Sequence, residues 1–131
     1  MNITKYEVVF ESFTERHFIK TFARKYKSAW DLTYSFLVEE FGVFDVLFNK
    51  NMAQTIIDSA DIKICKTEFK ISGTQESRHG SGNRCIVAIH KNINRVSVLL
   101  VYHKNDLTGS NETASWKNLV RDNYPEYSGI L

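Results

Sequence analysis

Two runs, "RCIVAIH" (84–90) and "RVSVLLVYH" (95–103), are apolar on both faces when laid out with the period of two that a strand requires. A strand without a polar face must be covered on both sides, so these two belong inside a sheet with other elements packed above and below it. Only "KNIN" separates them, and asparagine tolerates the positive φ of a tight turn. The pair therefore reads as an antiparallel hairpin with His90 opposite Arg95, which carries Arg84 to the far end, beside Val101 and Tyr102.

The elements that could cover such a hairpin are legible on either side of it. "KYEVVFESF" is a short β-rich run. After it, "SFTE" at Ser12 and "SAWD" at Ser28 have the spacing of capping boxes. Each is followed by apolar residues at helical spacing: Phe18, Ile19, Phe22, Ala23 and Tyr26, then Trp30, Tyr34, Leu37, Val38 and Phe41. These predict two amphipathic helices in a tight helical hairpin. The stretch "VFDVLFNKNMAQTIIDSAD" continues as further helix.

Near Ile62 the period changes to two, with Cys65, Thr67, Phe69 and Ile71 on one face and Lys66, Glu68, Lys70 and Ser72 on the other. "SNETASWKNLVRDNYPEY" adds a last helix stopped by Pro125. The expected fold is α+β: an N-terminal strand and helical hairpin on a small, mainly antiparallel sheet formed by residues 62–103, with a C-terminal helix. At 131 residues, one domain spanning 1–131 is expected.

Cys65 and Cys85 lie on strands without CxxC spacing and read as reduced core residues. No apolar run approaches the roughly 18 residues of a membrane span, and "MNITKYEVVF" lacks the pattern of a signal peptide. The expected address is the cytoplasm, with no membrane partner.

The formal charge of +2 conceals an asymmetry. Residues 63–104 carry eight Lys or Arg against two acids, and three of the four histidines. Such a segment suits an anionic partner, nucleic acid first, although strands with solvated lysines have a similar composition.

Folding the strand that starts at Ile62 back across the loop "SGTQESRHGSGN" sets Lys70 beside Cys85. Lys70, the loop with Arg78 and His79, Arg84, Tyr102, His103 and Lys104 would then gather at one sheet end. This set suits RNA cleavage without a metal or cofactor. Arg84 and Lys70 would hold phosphate, His103 would serve as acid or base, and Tyr102 would donate a proton or stack on a base. Lys66, Arg78, His79 and Lys104 would bind the RNA. Each also has a plainer use, as a solvated strand end, an edge aromatic or a hairpin residue.

"FKISGTQESRHGSGNRCIVAI" followed by "VSVLLVYHKNDL", after a strand and two helices, resembles the RelE/ParE superfamily of toxins from type II toxin–antitoxin systems. The resemblance runs from Tyr6 to about Leu107. It implies a metal-independent endoribonuclease, an mRNA interferase cutting by 2′-OH attack, with mRNA, free or on the ribosome, as partner and a cognate antitoxin that silences it. It aligns Lys70 and Arg84 with phosphate-handling positions, and Tyr102 and His103 with acid–base positions. His79 stands where a loop lysine is common and Asn83 where an aromatic is common. A gyrase-binding, non-catalytic toxin and a non-catalytic RNA-binding protein of the same fold are the alternative readings.

Overall fold

Leu99 has no partner across the central hairpin, and that one unpaired residue sets which face of the sheet the last residues of its strand present. The computed structural model describes residues 3–109 and 111–131. Strands β1 (Glu7–Phe10), β2 (Ala53–Asp58), β3 (Ile62–Phe69), β4 (Asn83–His90) and β5 (Arg95–His103) form one sheet in the order β1-β5-β4-β3-β2. β1 runs parallel to β5, and every other pairing is antiparallel. The two apolar runs are thus internal strands, as their lack of a polar face requires.

His90 does pair with Arg95, but a bulge intervenes before the far end: Val87 lies opposite Val98 and Ile86 opposite Leu100. Leu99 and Leu100 both face one side of the sheet, whereas Val98 and Val101 face the other.

The helical hairpin covers one side. Helix α1 spans residues 12–26 and α2 spans Ser28–Gly42. Lys27 alone joins them, at φ 53°, donating its N–H to the Ala23 carbonyl and accepting from Trp30 and Asp31. Ile19, Phe22, Trp30, Leu37 and Phe41 pack there against Cys65, Phe69, Cys85, Val87 and Val98. The expected capping boxes are not formed. Glu11 and Lys27 hold the N-cap positions without side-chain caps, and Ser12 and Ser28 are already the first helical residues.

Where β1 ends, α1 takes over the free edge of β5, and the buried Thr14 hydroxyl accepts the Val101 N–H at 2.9 Å. Removing that hydroxyl would leave a buried donor unpaired, a loss of about 1–3 kcal/mol.

Helix α4 (Glu112–Asn123) and a 3₁₀ turn (Pro125–Ile130) cover part of the other side. Trp116, Val120, Tyr124 and Tyr127 rest on Ile64, Ile86, Ala88 and Leu100. Asn111 caps α4, its Oδ1 accepting from the Ala114 N–H at 3.1 Å.

Residues 43–61, expected as helix, hold only the short α3 (Asp45–Asn49) before turning into β2. The run Thr55, Ile56, Ile57 is β-branched, and the edge of β3 offers it partners that a further helix would not have. Cys65 and Cys85 are buried free thiols in the core under the helical hairpin. Among the described residues, no helix is long and apolar enough to cross a membrane.

Candidate functional site

β3 and β4 pair with Thr67, not Lys70, opposite Cys85, a three-residue difference from the expected register. The loop between the strands is longer than the fold-back allowed for, because residues 70–72 leave the ladder. Glu68 therefore lies opposite Arg84, and Arg84 opposite Tyr102. These three residues share a sheet face with Lys66, on the side that α4 only partly covers.

Arg84 is 4% exposed. Its guanidinium reaches Glu68 Oε2 at 3.1 Å and donates to the carbonyls of Asn83 at 3.1 Å and His79 at 3.3 Å. The same Glu68 oxygen lies 2.6 Å from His79 Nδ1. One carboxylate oxygen thus joins a buried guanidinium to an imidazole that is largely in solvent.

The loop carrying His79 is tied down on both sides of it. Arg78 forms a two-pronged pair with Glu40 of α2, at 2.8 and 2.9 Å, and donates Nε to the Glu68 carbonyl at 3.1 Å. The Ser81 hydroxyl bonds the carbonyls of Phe69 and Arg78.

Beside this triad, Glu112 from the first turn of α4 accepts the Tyr102 hydroxyl at 2.7 Å and the Lys66 ammonium at 2.8 Å, both on Oε2. Burial alone would raise the Glu112 carboxyl, but hydrogen bonds from Lys66 and Tyr102 and the charges of Lys66 and Arg84 outweigh it, and the net direction is down. Tyr102 is fully buried, and burial first, then the Glu112 carboxylate, push its phenol far above the ordinary value. Its hydroxyl is a donor to Glu112 and not a free proton source. Lys66, Glu68, His79, Arg84, Lys104 and Glu112 together line an open groove of about 600 Å³.

The other sequence-derived candidates are elsewhere. Lys70 is exposed beyond the end of β3, its Nζ 3.4 Å from the Thr74 carbonyl, outside the groove. Arg78 is engaged with Glu40 as a loop anchor. His103 and Asn83 pair with each other and face the helical hairpin, on the side of the sheet opposite Arg84. Gly82 allows His103 to sit there. Its φ is +79°, and a Cβ at that position would lie 2.6 Å from His103 Nε2.

The groove therefore gathers Lys66, His79, Arg84 and Lys104 with Tyr102 beneath, and leaves Lys70, Arg78 and His103 outside. It also contains two carboxylates that sequence reasoning passed over. Glu68 carried a signal, since it alternates with Lys66 on the polar face of β3. Glu112 carried none, because nothing local says which strand α4 will cross.

Compared with protein-family models, curated proteins and solved structures, the chain shows no significant match.

Proposed function

We propose that the groove binds RNA and cleaves it without a metal, as the RelE-like resemblance implies, and that Glu68, Arg84 and His79 carry the chemistry. The observation behind this reading is the single Glu68 oxygen held between Arg84 and His79 in a groove that also presents Lys66 and Lys104. The ordering of a strand, two helices and three further strands, with β2 added at the edge, is the other support.

Glu68 takes the proton of a 2′-OH, and the O2′ forms a bond to phosphorus as the bond from phosphorus to the 5′-oxygen breaks. His79, when protonated, returns a proton to that leaving oxygen. Lys66 and Lys104 bind the phosphate from the solvent side, while Arg84 acts from beneath, keeping Glu68 oriented and adding positive charge where the phosphorane develops. Under this reading the target is mRNA and the chain has a cognate antitoxin.

The rival is RNA binding without cleavage. Two facts favour it: Tyr102 is sealed from solvent, and Lys66 is already paired with Glu112.

Incubation of RNA, free and ribosome-bound, with the protein in chelator separates the two. Cleavage should leave a 2′,3′-cyclic phosphate and a 5′-hydroxyl, and should fall about a hundredfold or more in Glu68→Gln and in His79→Ala. Retarded but intact RNA would select the rival, and cleavage unchanged in both variants would remove the triad from the chemistry.

A further inference from the structure

On the opposite side of the same sheet end, α1 and residues 103–106 enclose a second cavity of about 480 Å³, within the range of small-ligand sites. One wall is aromatic and comes from α1. Phe18, Phe22 and Tyr26 follow at helical spacing, and the Phe22 and Tyr26 rings lie stacked, 6.2 Å between centroids and 25° between planes.

The facing wall is polar. Asn83 is 5% exposed, its backbone N–H donates to Ser81 and its carbonyl accepts from Arg84, yet among the described residues nothing hydrogen-bonds its carboxamide, which lines the cavity. The carboxamide opens onto this space with two donors and one acceptor, so a ligand entering it can pair with them.

Lys25 and His17 stand at the rim, and His17 belongs to a π-helical turn, Glu15–Ile19, within α1. Such turns give up regular hydrogen bonding and recur at ligand sites.

We propose that this cavity binds a nucleobase as part of a nucleotide. The base would stack on the aromatic wall, its edge would be read by the donor–acceptor pair of Asn83, and the phosphate would meet Lys25 and His17. A flat wall, a carboxamide matched to a base edge and a lysine and an imidazole at the mouth are together what that ligand requires and what a purely apolar ligand would leave unpaired. Asn83 and Arg84 are adjacent on β4 and face opposite sides, so the cavity and the groove open at one sheet end. That both hold one RNA strand rests on the cleavage reading; base binding in the cavity does not.

Titration of the full chain with AMP, GMP, CMP and UMP in turn, with inorganic phosphate as control, followed by NMR at the Asn83 side-chain amide, tests the assignment. At least one nucleotide should bind and shift that amide, phosphate alone should not, and affinity should fall about tenfold in Asn83→Ala and in Tyr26→Ala. Tyr26 is only half-buried, so its variant remains informative even where Asn83→Ala unfolds. The same titration on Glu68→Gln separates this site from the groove: nucleotide binding retained there supports the cavity even where no RNA is cut. No binding of any of the four at millimolar concentration, or affinity unchanged in Tyr26→Ala, would overturn the proposal.

Discussion

The pair of Arg84 and Glu68 is asymmetric, and the asymmetry can be measured. At 3.1 Å the two charges attract by about 5 kcal/mol at an effective dielectric constant of about 20. Glu68 is a third exposed, so solvent screening reduces the usable coupling to about 2 kcal/mol. The partners differ in what their loss leaves behind. Glu68→Gln leaves a guanidinium 4% exposed without its ion-pair partner, and should destabilise by about 3 kcal/mol. Arg84→Met leaves a carboxylate that water and His79 can still reach, and should cost about 2 kcal/mol, mostly through the unpaired carbonyls of Asn83 and His79. The double variant should then lose about 3 rather than 5 kcal/mol, a coupling of about 2 kcal/mol. Urea unfolding reads these values as midpoint shifts of about 1 M for each 2 kcal/mol. Additive losses, with coupling under about 0.5 kcal/mol, would show that the buried guanidinium is held by its carbonyls alone and does not orient Glu68.

Three further outcomes are expected. Cys65 and Cys85 are fully buried, and burial pushes the Cys65 thiol up to about 11 and Cys85 higher still, so a thiol reagent should label neither in the folded protein and both after unfolding. His90 is held below the usual imidazole range by burial and then by Arg95, against the smaller opposite pull of Glu11 and Glu126, while its Nε2 meets the Tyr127 hydroxyl at 2.8 Å. The unfolded chain therefore binds that proton more readily, so stability should decline as pH falls through about 6.5, and melting curves of His90→Gln should lack that decline. Arg78→Ala should free the loop that carries His79, seen as faster amide exchange across residues 74–82 with the β4 core unchanged; equal exchange would mean that Ser81 alone anchors the loop.

The sheet was legible in the sequence where burial on both faces left no other choice, and illegible where edges and loops decided. β4 and β5 could only be interior strands, and the His90 to Arg95 turn followed from four residues of turn chemistry. β2 was missed because Thr55, Ile56 and Ile57 follow a helical pattern directly, and an edge strand takes its identity from the neighbour it pairs with rather than from its own period. The register of β3 on β4 was missed because Lys70, Ile71 and Ser72 extend the alternation beyond the last ladder pair, Phe69 with Asn83. Alternation marks which residues share a face but not where the ladder stops. Glu112 could not have been found by spacing at all, since its place over Lys66 and Tyr102 depends on how α4 crosses the sheet.

The separation of His103 from Arg84 has a single structural cause, the extra residue Leu99. Were Leu99 paired within the ladder instead, the register set at the turn would run unbroken to the sheet end, Arg84 would face Val101, and His103 would project on the same side as Arg84. The bulge places Leu99 and Leu100 on one side together and so reverses the alternation of every later residue. Tyr102 then meets Arg84 and Glu112, while His103 turns to the side where Asn83 and the aromatics of α1 wait. The polar residues that the sequence gathers into one cluster are in this way divided between two chambers back to back. The groove keeps a carboxylate and an imidazole suited to moving protons, and the cavity keeps the flat walls and the Asn83 carboxamide suited to recognition.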